Sequence, residues 1–230
     1  LMQGCAVASF LADALLYEMD ERMTELNEFY VRYSDDTLYI GRNYSTAMEI
    51  MCSELGKRGL KLNPKKVEYL DSNHWFKFLG FSIRGADISI SKGRLDTFQK
   101  EIESRTIKRQ NVTLHKATKD VVKYLYVGDG TYSWATSVLP IVTNEHDINE
   151  LNKFVLDCLK GVATNHKKVG GLGYQKEGKY GVVMRGKGKN VKANRDKIPD
   201  KIPGYLSIGM MRKAMLTSKE TFETLVRCEL

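Results

Sequence analysis

Hydrophobic positions in the first 90 residues switch between helical and strand spacing. Apolar side chains recur at helical spacing over residues 5–27 and again over residues 45–58, which predicts two amphipathic helices. Residues 29–41 alternate with a period of two around a polar tetrapeptide, and this pattern predicts a β-hairpin. Further strands are predicted at residues 67–70, 76–83 and 88–90. Helices and short strands in this order indicate an α+β fold.

After residue 90 the pattern becomes mainly helical. Apolar positions at helical spacing predict helices at residues 95–109, 114–126, 148–162 and 208–227. Residues 169–201 are rich in Gly, Lys and Asn and show little periodicity, so a flexible basic connector is predicted there. The predicted domains are residues 1–90, 91–168 and 169–230.

Charge is unevenly distributed along the chain, whose formal net charge is +8. Residues 161–230 contain 15 Lys and Arg against 6 Asp and Glu, and residues 51–130 contain 16 against 9. Residues 1–50, in contrast, contain 3 basic and 9 acidic side chains. Carboxylates followed by basic segments are the layout expected of a protein that handles nucleic acid. A disordered basic tail with a solvated helix face would give the same counts.

Size and cysteine content narrow the class of protein. A chain of 230 residues can bury the core of one large domain or two small ones. No apolar run approaches the roughly 20 residues that span a bilayer, and residues 1–16 lack the basic leader of a secretory signal. The four cysteines contain no Cys-x-x-Cys pair, which disfavours a zinc site and a disulfide framework. We therefore expect a cytoplasmic protein with no membrane partner.

Two adjacent acids lie at the tip of the predicted hairpin, in the tetrapeptide Tyr33-Ser34-Asp35-Asp36. Adjacent carboxylates repel each other, and a divalent cation held between them would remove that repulsion. Mg²⁺ favours carboxylate oxygens and leaves positions for substrate phosphates. The tip is therefore a candidate site of phosphoryl transfer. The alternative is an ordinary solvated turn, since Asp is a common turn residue.

Four segments together resemble consecutive conserved blocks of reverse transcriptases. They are Gln3-Gly4 with Leu11-Ala12-Asp13, then Tyr33-Ser34-Asp35-Asp36, then residues 59–66, and finally Phe78-Leu79-Gly80-Phe81. Each motif alone is weak, but the four occur in the order and at the spacing of the family. The chain is most similar to bacterial retroelement enzymes, namely group II intron, retron, diversity-generating and defence-associated types. The resemblance covers residues 1–90 and, more loosely, the helices that follow.

This resemblance implies a fold and a reaction. The fold is an α+β polymerase palm, an antiparallel sheet with helices on one face, followed by a mainly helical thumb over residues 91–168. The reaction is RNA-directed DNA synthesis, in which two Mg²⁺ ions, or Mn²⁺ in their place, assist attack of a primer 3′-hydroxyl on a nucleotide α-phosphate. The implied partners are an RNA template, a DNA or RNA primer and deoxynucleoside triphosphates.

The same resemblance implies roles for individual residues. Asp35 is the catalytic metal ligand and Asp36 the adjacent catalytic carboxylate. The residues implied near the incoming nucleotide are Gln3, Gly4 and Lys66, with Lys65 as the alternative to Lys66. The residues implied at the primer or template are Tyr33, Phe78, Leu79 and Gly80. The alternative for Lys66 is a solvated loop charge, and for residues 78–80 it is core packing.

The sequence departs from the family pattern at several positions. Met2 stands where proline is usual, Asp13 where asparagine is usual, and Ser34 occupies a variable position. The family also carries a catalytic aspartate on a strand upstream of the Gln-Gly block, and this chain starts two residues before that block. We therefore expect the chain to be the carboxy-terminal part of an enzyme, to need the missing amino-terminal part, and to be inactive alone.

Two other functions stay open at this point. One is a non-catalytic, RNA-binding, maturase-like scaffold of the same fold; retention of both Asp35 and Asp36 argues against it. The other is a palm-type nucleotidyl cyclase, which also places acids at a hairpin tip but should lack the Gln-Gly, Leu-Asn-Pro-Lys and Phe-Leu-Gly blocks. Primer extension separates both from a polymerase.

The basic connector yields a prediction about RNA binding. Deleting residues 169–201 should weaken template binding and flatten its dependence on salt, because each lost phosphate contact reduces the slope of log K against log[salt] by about 0.7–0.9. Filter binding of template RNA between low and high salt measures the slope. An unchanged slope would refute a role for this segment in phosphate binding.

Overall fold

The computed structural model describes residues 7–71, 73–130, 132–165, 172–174, 182–184 and 202–229; for residue 9 and the two short segments 172–174 and 182–184, it describes the backbone alone. Helices are combined with small antiparallel sheets, which confirms the α+β class. The chain forms two compact units, Leu1–Asp71 and Ser72–Leu230, called here the hairpin unit and the helical unit.

The hairpin unit follows the predicted order of elements. Helix α1 (Ala8–Thr24) precedes the strands β1 (Phe29–Tyr33) and β2 (Asp36–Ile40), and helix α2 (Tyr44–Lys57) follows. The two strands pair antiparallel from Phe29 opposite Ile40 to Tyr33 opposite Asp36. The predicted hairpin is therefore confirmed, with a turn of only two residues.

The core of the hairpin unit lies where α1 packs against α2. Its buried apolar residues are Met19, Met23, Ala47 and Ile50. Burying methionines and isoleucine in this way contributes about 1.5–3 kcal/mol for each large side chain. Because this core is small, the stability of the unit also depends on the polar contacts around it.

A buried carboxylate links the same two helices. The side chain of Glu54 is only 1% exposed and accepts hydrogen bonds from Lys57 at 2.7 Å, Arg22 at 2.6 Å and Arg58 at 2.8 Å. These bonds lower the pKa of Glu54 from 4.5 to about 2. Arg22 belongs to α1 and the other residues to α2 and its end, so the carboxylate holds one helix to the other.

The helical unit begins with a three-stranded antiparallel sheet in the order β3-β4-β5 and continues with helices. Its elements are β3 (Phe76–Phe78), β4 (Phe81–Arg84), β5 (Asp87–Ile90), α3 (Lys92–Arg105), α4 (Leu114–Val122), a π-helical turn (Lys123–Val127), α5 (Trp134–Ser137), α6 (Glu145–Ala163), β6 (Leu172–Tyr174), β7 (Val182–Met184), α7 (Ile208–Thr217) and α8 (Lys219–Glu229).

One continuous core fills the helical unit. Phe98 of α3 is fully buried and contacts Trp134, with ring centroids 4.5 Å apart in an edge-to-face arrangement. Phe154 of α6 also packs against Phe98. Aromatic pairs of this kind add about 0.5–1.5 kcal/mol beyond the burial of their area.

The boundary between the units differs from the boundary predicted near residue 90. Phe81 and Ile90 are buried in the same core as the helices. In addition, the carboxylate of Asp147, in the first turn of α6, accepts hydrogen bonds from the Ser89 hydroxyl and the Ile90 backbone N–H. Strands β3–β5 therefore belong with the helices, and the chain divides between Asp71 and Ser72.

Three predicted elements are wrong in detail. Residues 67–70 form no strand; they follow a short 3₁₀ turn (Pro64–Lys66), and Tyr69 is 65% exposed. The single strand predicted at residues 76–83 is two strands. The terminal helix is likewise two helices, because Ser218 adopts an extended conformation (φ −157°, ψ 119°) between them.

Part of the predicted connector is described. Strands β6 and β7 pair antiparallel within residues 169–201, where the sequence predicted a connector without regular structure. The rest of that segment lies outside the described residues. Among the helices that the structure does describe, none is both long enough and apolar enough to cross a membrane.

The Glu54 network predicts a pH dependence of stability. The folded-state pKa of Glu54 lies below its unfolded value of 4.5, so its contribution is present above pH 4.5 and is lost as the pH falls towards 2. Glu54→Gln should therefore lower the opening free energies of amides in α1 and α2 at pH 6, and the difference from wild type should shrink in acid. Hydrogen exchange, converted to opening free energies at each pH, measures this.

The matched control is Glu49→Gln, since Glu49 is an exposed acid on the same helix. It should leave the opening free energies unchanged. Equal effects of the two substitutions would contradict the role given to Glu54.

Candidate active site

The two adjacent acids lie at the turn of the β1–β2 hairpin. Because Tyr33 pairs with Asp36, Ser34 and Asp35 form the two-residue turn and Asp36 begins the second strand. Asp35 and Asp36 are exposed, and Tyr33 is 65% exposed. The structure thus brings three of the predicted site residues together at a surface open to a large ligand.

The turn adopts an unusual backbone conformation. Ser34 has a φ of +58°, in the left-handed region that few residues other than glycine adopt. Its carbonyl oxygen accepts a hydrogen bond of 2.9 Å from Nη1 of Arg32. A charge-assisted bond therefore holds the residue that immediately precedes Asp35.

Arg32 is itself held by helix α1. Its side chain is 7% exposed, and it donates to Asp20 through Nε at 2.9 Å and through Nη2 at 2.6 Å. Nη1 also donates to Asp13 at 3.1 Å, and the Tyr30 hydroxyl donates to Asp20 at 2.5 Å. The hairpin is fastened to α1 by a cluster of four polar side chains, Asp13, Asp20, Tyr30 and Arg32, called here the Arg32 cluster.

The charges in the Arg32 cluster reinforce one another. Partial burial raises the pKa of Asp20. The hydrogen bonds from Arg32 and Tyr30 lower this pKa by more than burial raises it, so the net shift is downward. The bond to Asp20 raises the pKa of Arg32, while burial and the same carboxylate raise the pKa of Tyr30. Asp20 is therefore ionised and Arg32 is charged throughout the neutral range.

Sequence reasoning did not identify this cluster. Strand alternation places Tyr30 and Arg32 on the same face of β1, and Asp13 and Asp20 are seven residues apart, which puts them on one face of a helix. These two spacings are the available signal. Pairing them requires knowing that the hairpin packs on α1, which the sequence pattern does not give.

The donor set at the turn is part of what a magnesium ion needs. Asp35 and Asp36 offer carboxylate oxygens, the ligand type that Mg²⁺ prefers. Within the part of the chain that the structure describes, no group of three or more His, Cys, Asp or Glu residues is placed to hold a metal. The two acids therefore fit a partial coordination sphere, which a further carboxylate, water or substrate phosphates would complete.

The lysines predicted near the nucleotide lie on a short loop. Lys65 and Lys66 are exposed in the 3₁₀ turn, which begins where the Asn63 side chain accepts a hydrogen bond of 3.1 Å from the Lys65 N–H. The loop borders an open cavity of about 570 Å³ between α2 and the segment after it. The cavity walls are mostly apolar, include Lys61, and do not include Asp35, Asp36 or Lys66. Gln3 and Gly4 lie outside the described residues.

The residues predicted at the primer form a tight turn between β3 and β4. Phe78 pairs with Phe81, and the two residues between them, Leu79 and Gly80, have φ values of +48° and +80°. Leu79 is 37% exposed and Phe78 is half-buried. These residues belong to the helical unit, whereas Asp35 and Asp36 belong to the hairpin unit.

Arg94 of α3 holds this second turn. Its Nη2 donates to the Leu79 carbonyl oxygen at 3.0 Å, and its guanidinium lies over the Phe81 ring at 4.5 Å. Gly80 has a φ of +80°, which favours glycine, and a Cβ atom there would lie 2.7 Å from Nη2 of Arg94, so an added methyl group would have to displace the guanidinium. The sequence singled out Phe78, Leu79 and Gly80 by motif but predicted one continuous strand there, and it predicted neither the turn nor the arginine that holds it.

A comparison of two glycines tests whether Arg94 stabilises the turn between β3 and β4. Gly80→Ala and Gly85→Ala both place a side chain at positive φ, and each should destabilise the helical unit by about 1 kcal/mol or more. A methyl group added at Gly85 would meet no atom within 4 Å, whereas one added at Gly80 would displace the Arg94 guanidinium. Gly80→Ala should therefore cost about 1 kcal/mol more than Gly85→Ala in urea unfolding.

The excess should vanish in an Arg94→Ala background, because the guanidinium is then absent. If Gly80→Ala and Gly85→Ala are equally destabilising in the wild-type background, Arg94 does not stabilise the turn.

Comparison with known proteins places the hairpin in a family context. Residues 1–83 match the family model described as reverse transcriptase (RNA-dependent DNA polymerase). The match spans the whole hairpin unit and extends through Phe78-Leu79-Gly80 to β4. No curated protein matches the chain. The family match, over 83 of 230 residues, supports a reverse transcriptase.

Proposed function

We propose that the protein is an RNA-directed DNA polymerase of the bacterial retroelement type. The observation that carries the proposal is the pair Asp35 and Asp36 at an exposed two-residue turn, inside the segment that matches the reverse transcriptase family. The hairpin unit is part of the palm, and the helices from α3 to α6 form the thumb.

Asp35 and Asp36 hold the catalytic cations in this proposal. Bound Mg²⁺ would lower the barrier by stabilising charge on the attacking 3′-hydroxyl, the leaving oxygen and the phosphates. The contribution of the chain is to fix two carboxylates at an exposed turn. The bond between Arg32 and the Ser34 carbonyl limits the movement of that turn.

Cationic and polar side chains bind the nucleotide. Lys66, on the exposed 3₁₀ turn, offsets negative charge on the departing pyrophosphate, with Lys65 as the alternative. Gln3 and the Gly4 backbone line the nucleotide pocket, as the family resemblance implies.

Exposed apolar groups position the primer. Tyr33 presents its ring at the edge of the hairpin, close to the carboxylates in sequence. Phe78, Leu79 and Gly80 contact the primer strand through a turn whose backbone is fixed by Arg94. A rigid turn orients the primer end at little cost in entropy.

The charge distribution also favours a second function. Residues 161–230 carry 15 basic and 6 acidic side chains, which suits an RNA-binding scaffold as well as a polymerase. The two functions differ in one measurable property. A scaffold binds RNA and does not extend a primer.

Primer extension on an RNA template tests the proposal, with the intact natural protein, Mg²⁺ and deoxynucleotides. Asp35→Asn should reduce extension by about 10²–10³-fold or more, because the lost carboxylate charge weakens binding of the cation that would stabilise negative charge in the transition state. RNA affinity should stay unchanged. Glu25→Gln is the matched control, since Glu25 is an exposed acid at the end of α1, and it should extend primers like wild type.

Two results would overturn the proposal. Extension by Asp35→Asn at close to the wild-type rate would remove the carboxylate from the mechanism. Tight RNA binding by the wild type with no extension would establish the scaffold instead.

A further inference from the structure

The Ser34 carbonyl group belongs to the peptide plane that leads into Asp35. A peptide unit is planar, so the carbonyl of Ser34 and the N–H and Cα of Asp35 move as one rigid plane. Holding that oxygen limits the rotation of the plane that leads to the Asp35 side chain. The oxygen is bound by Nη1 of Arg32 at 2.9 Å.

The same arginine reaches a different element of the unit. Its remaining donors bind Asp20 twice, at 2.9 and 2.6 Å, and Nη1 also reaches Asp13 at 3.1 Å. Both acids belong to α1, which contributes Met19 and Met23 to the core. The turn is therefore held in position by the packed helix as well as by its own strands.

Charge balance separates this role from that of a substrate-binding cation. Arg32 is 7% exposed, and two carboxylates surround its single positive charge. It therefore presents no net positive charge that would repel a cation at Asp35. A buried, neutralised guanidinium suits orientation of the backbone and does not suit capture of a phosphate.

We propose that Arg32 is a positioning residue, which holds the Ser34 carbonyl against α1 and so orients Asp35 for metal binding. This inference rests on the proposed polymerase function. It predicts that loss of the bond from Arg32 to Ser34 weakens magnesium binding. Loss of another bond in the Arg32 cluster weakens magnesium binding only if that loss also frees the Arg32 side chain from the Ser34 carbonyl.

Lysine is the informative replacement for Arg32. A lysine ammonium keeps the positive charge, but it cannot reproduce the planar fork that binds Asp20 twice while a third nitrogen reaches Ser34. Arg32→Lys should therefore leave Asp35 less well oriented. Outer partners of metal ligands typically affect metal affinity by about 10–100-fold, and the half-saturating Mg²⁺ concentration should rise by about this factor.

Tyr30→Phe is the matched control for stability. It removes the 2.5 Å hydrogen bond to Asp20 and leaves the bond between Arg32 and Ser34 in place. It should lower the melting temperature and leave the Mg²⁺ requirement within about twofold of wild type, well below the change that loss of an outer metal-ligand partner causes. Asp13→Asn should behave like wild type, because the amide oxygen can still accept from Arg32.

The experiment measures primer extension by the intact natural protein as a function of Mg²⁺ at saturating primer, template and nucleotide. Each variant is also melted, and its RNA affinity is measured. A purely structural role would lower the melting temperature of Arg32→Lys without changing its Mg²⁺ requirement, and that result would overturn the inference. If Arg32→Lys fails to fold, Asp20→Asn replaces it, with a smaller rise in the Mg²⁺ requirement expected and an unchanged requirement overturning the inference.

Asp35→Asn, assayed in parallel, separates the two hypotheses. If Asp35→Asn extends primers like wild type, the polymerase proposal fails. If Asp35→Asn is inactive and Arg32→Lys has the wild-type Mg²⁺ requirement, only the role given to Arg32 fails.

Discussion

Two carboxylates on adjacent residues repel each other, and everything proposed for this chain depends on how the fold keeps Asp35 and Asp36 at one turn. The strand register places them there, because Tyr33 opposite Asp36 leaves only two residues for the turn. Both side chains are exposed, so water screens much of the repulsion. Bonds elsewhere in the hairpin unit hold the turn in place, and in the proposed function bound cations would offset the remaining repulsion.

Several of those bonds are ionic, and they supplement an apolar core of only four buried residues among those described. Glu54 joins α1 to α2, and Asp20 joins α1 to the hairpin. Glu28 accepts hydrogen bonds from the Tyr39 hydroxyl and the Arg42 backbone N–H, which ties β2 to the approach to α2. The acidic excess of residues 1–50 thus has a structural part. Counting those acids as cation ligands would overstate the charge available at the turn.

Local patterns predicted the hairpin and its neighbouring helices well, because alternation and helical spacing are properties of a few consecutive residues. They failed where long-range pairing decides. Residues 67–70 have the composition of a strand, yet the structure gives them no paired strand. Ser218 divides the terminal helix by capping α8, where its hydroxyl accepts from the Thr221 N–H at 3.3 Å. A serine followed by a polar first turn was therefore a signal available in the sequence.

The candidate site shows the same division between local and distant information. Motif order singled out the acids and residues 78–80, since each motif lies within four residues, but strand periodicity did not predict the turn at Leu79 and Gly80. Local patterns do not predict the role of Arg32, because two of its partners are 12 and 19 residues away. They do not predict the role of Arg94 either, because it lies 15 residues beyond the carbonyl oxygen that it binds.

The two turns share a construction that neither motif reveals alone. Each contains a non-glycine residue at positive φ, Ser34 at +58° and Leu79 at +48°, and in each an arginine donates to the carbonyl oxygen of that same residue. Positive φ is disfavoured for such residues, and a charge-assisted hydrogen bond is strong enough to offset the cost. The arginines act on the backbone, so the turn side chains stay exposed and available to a ligand. Each turn therefore combines a restrained backbone with exposed side chains, an arrangement that lets a turn hold a ligand in a fixed orientation.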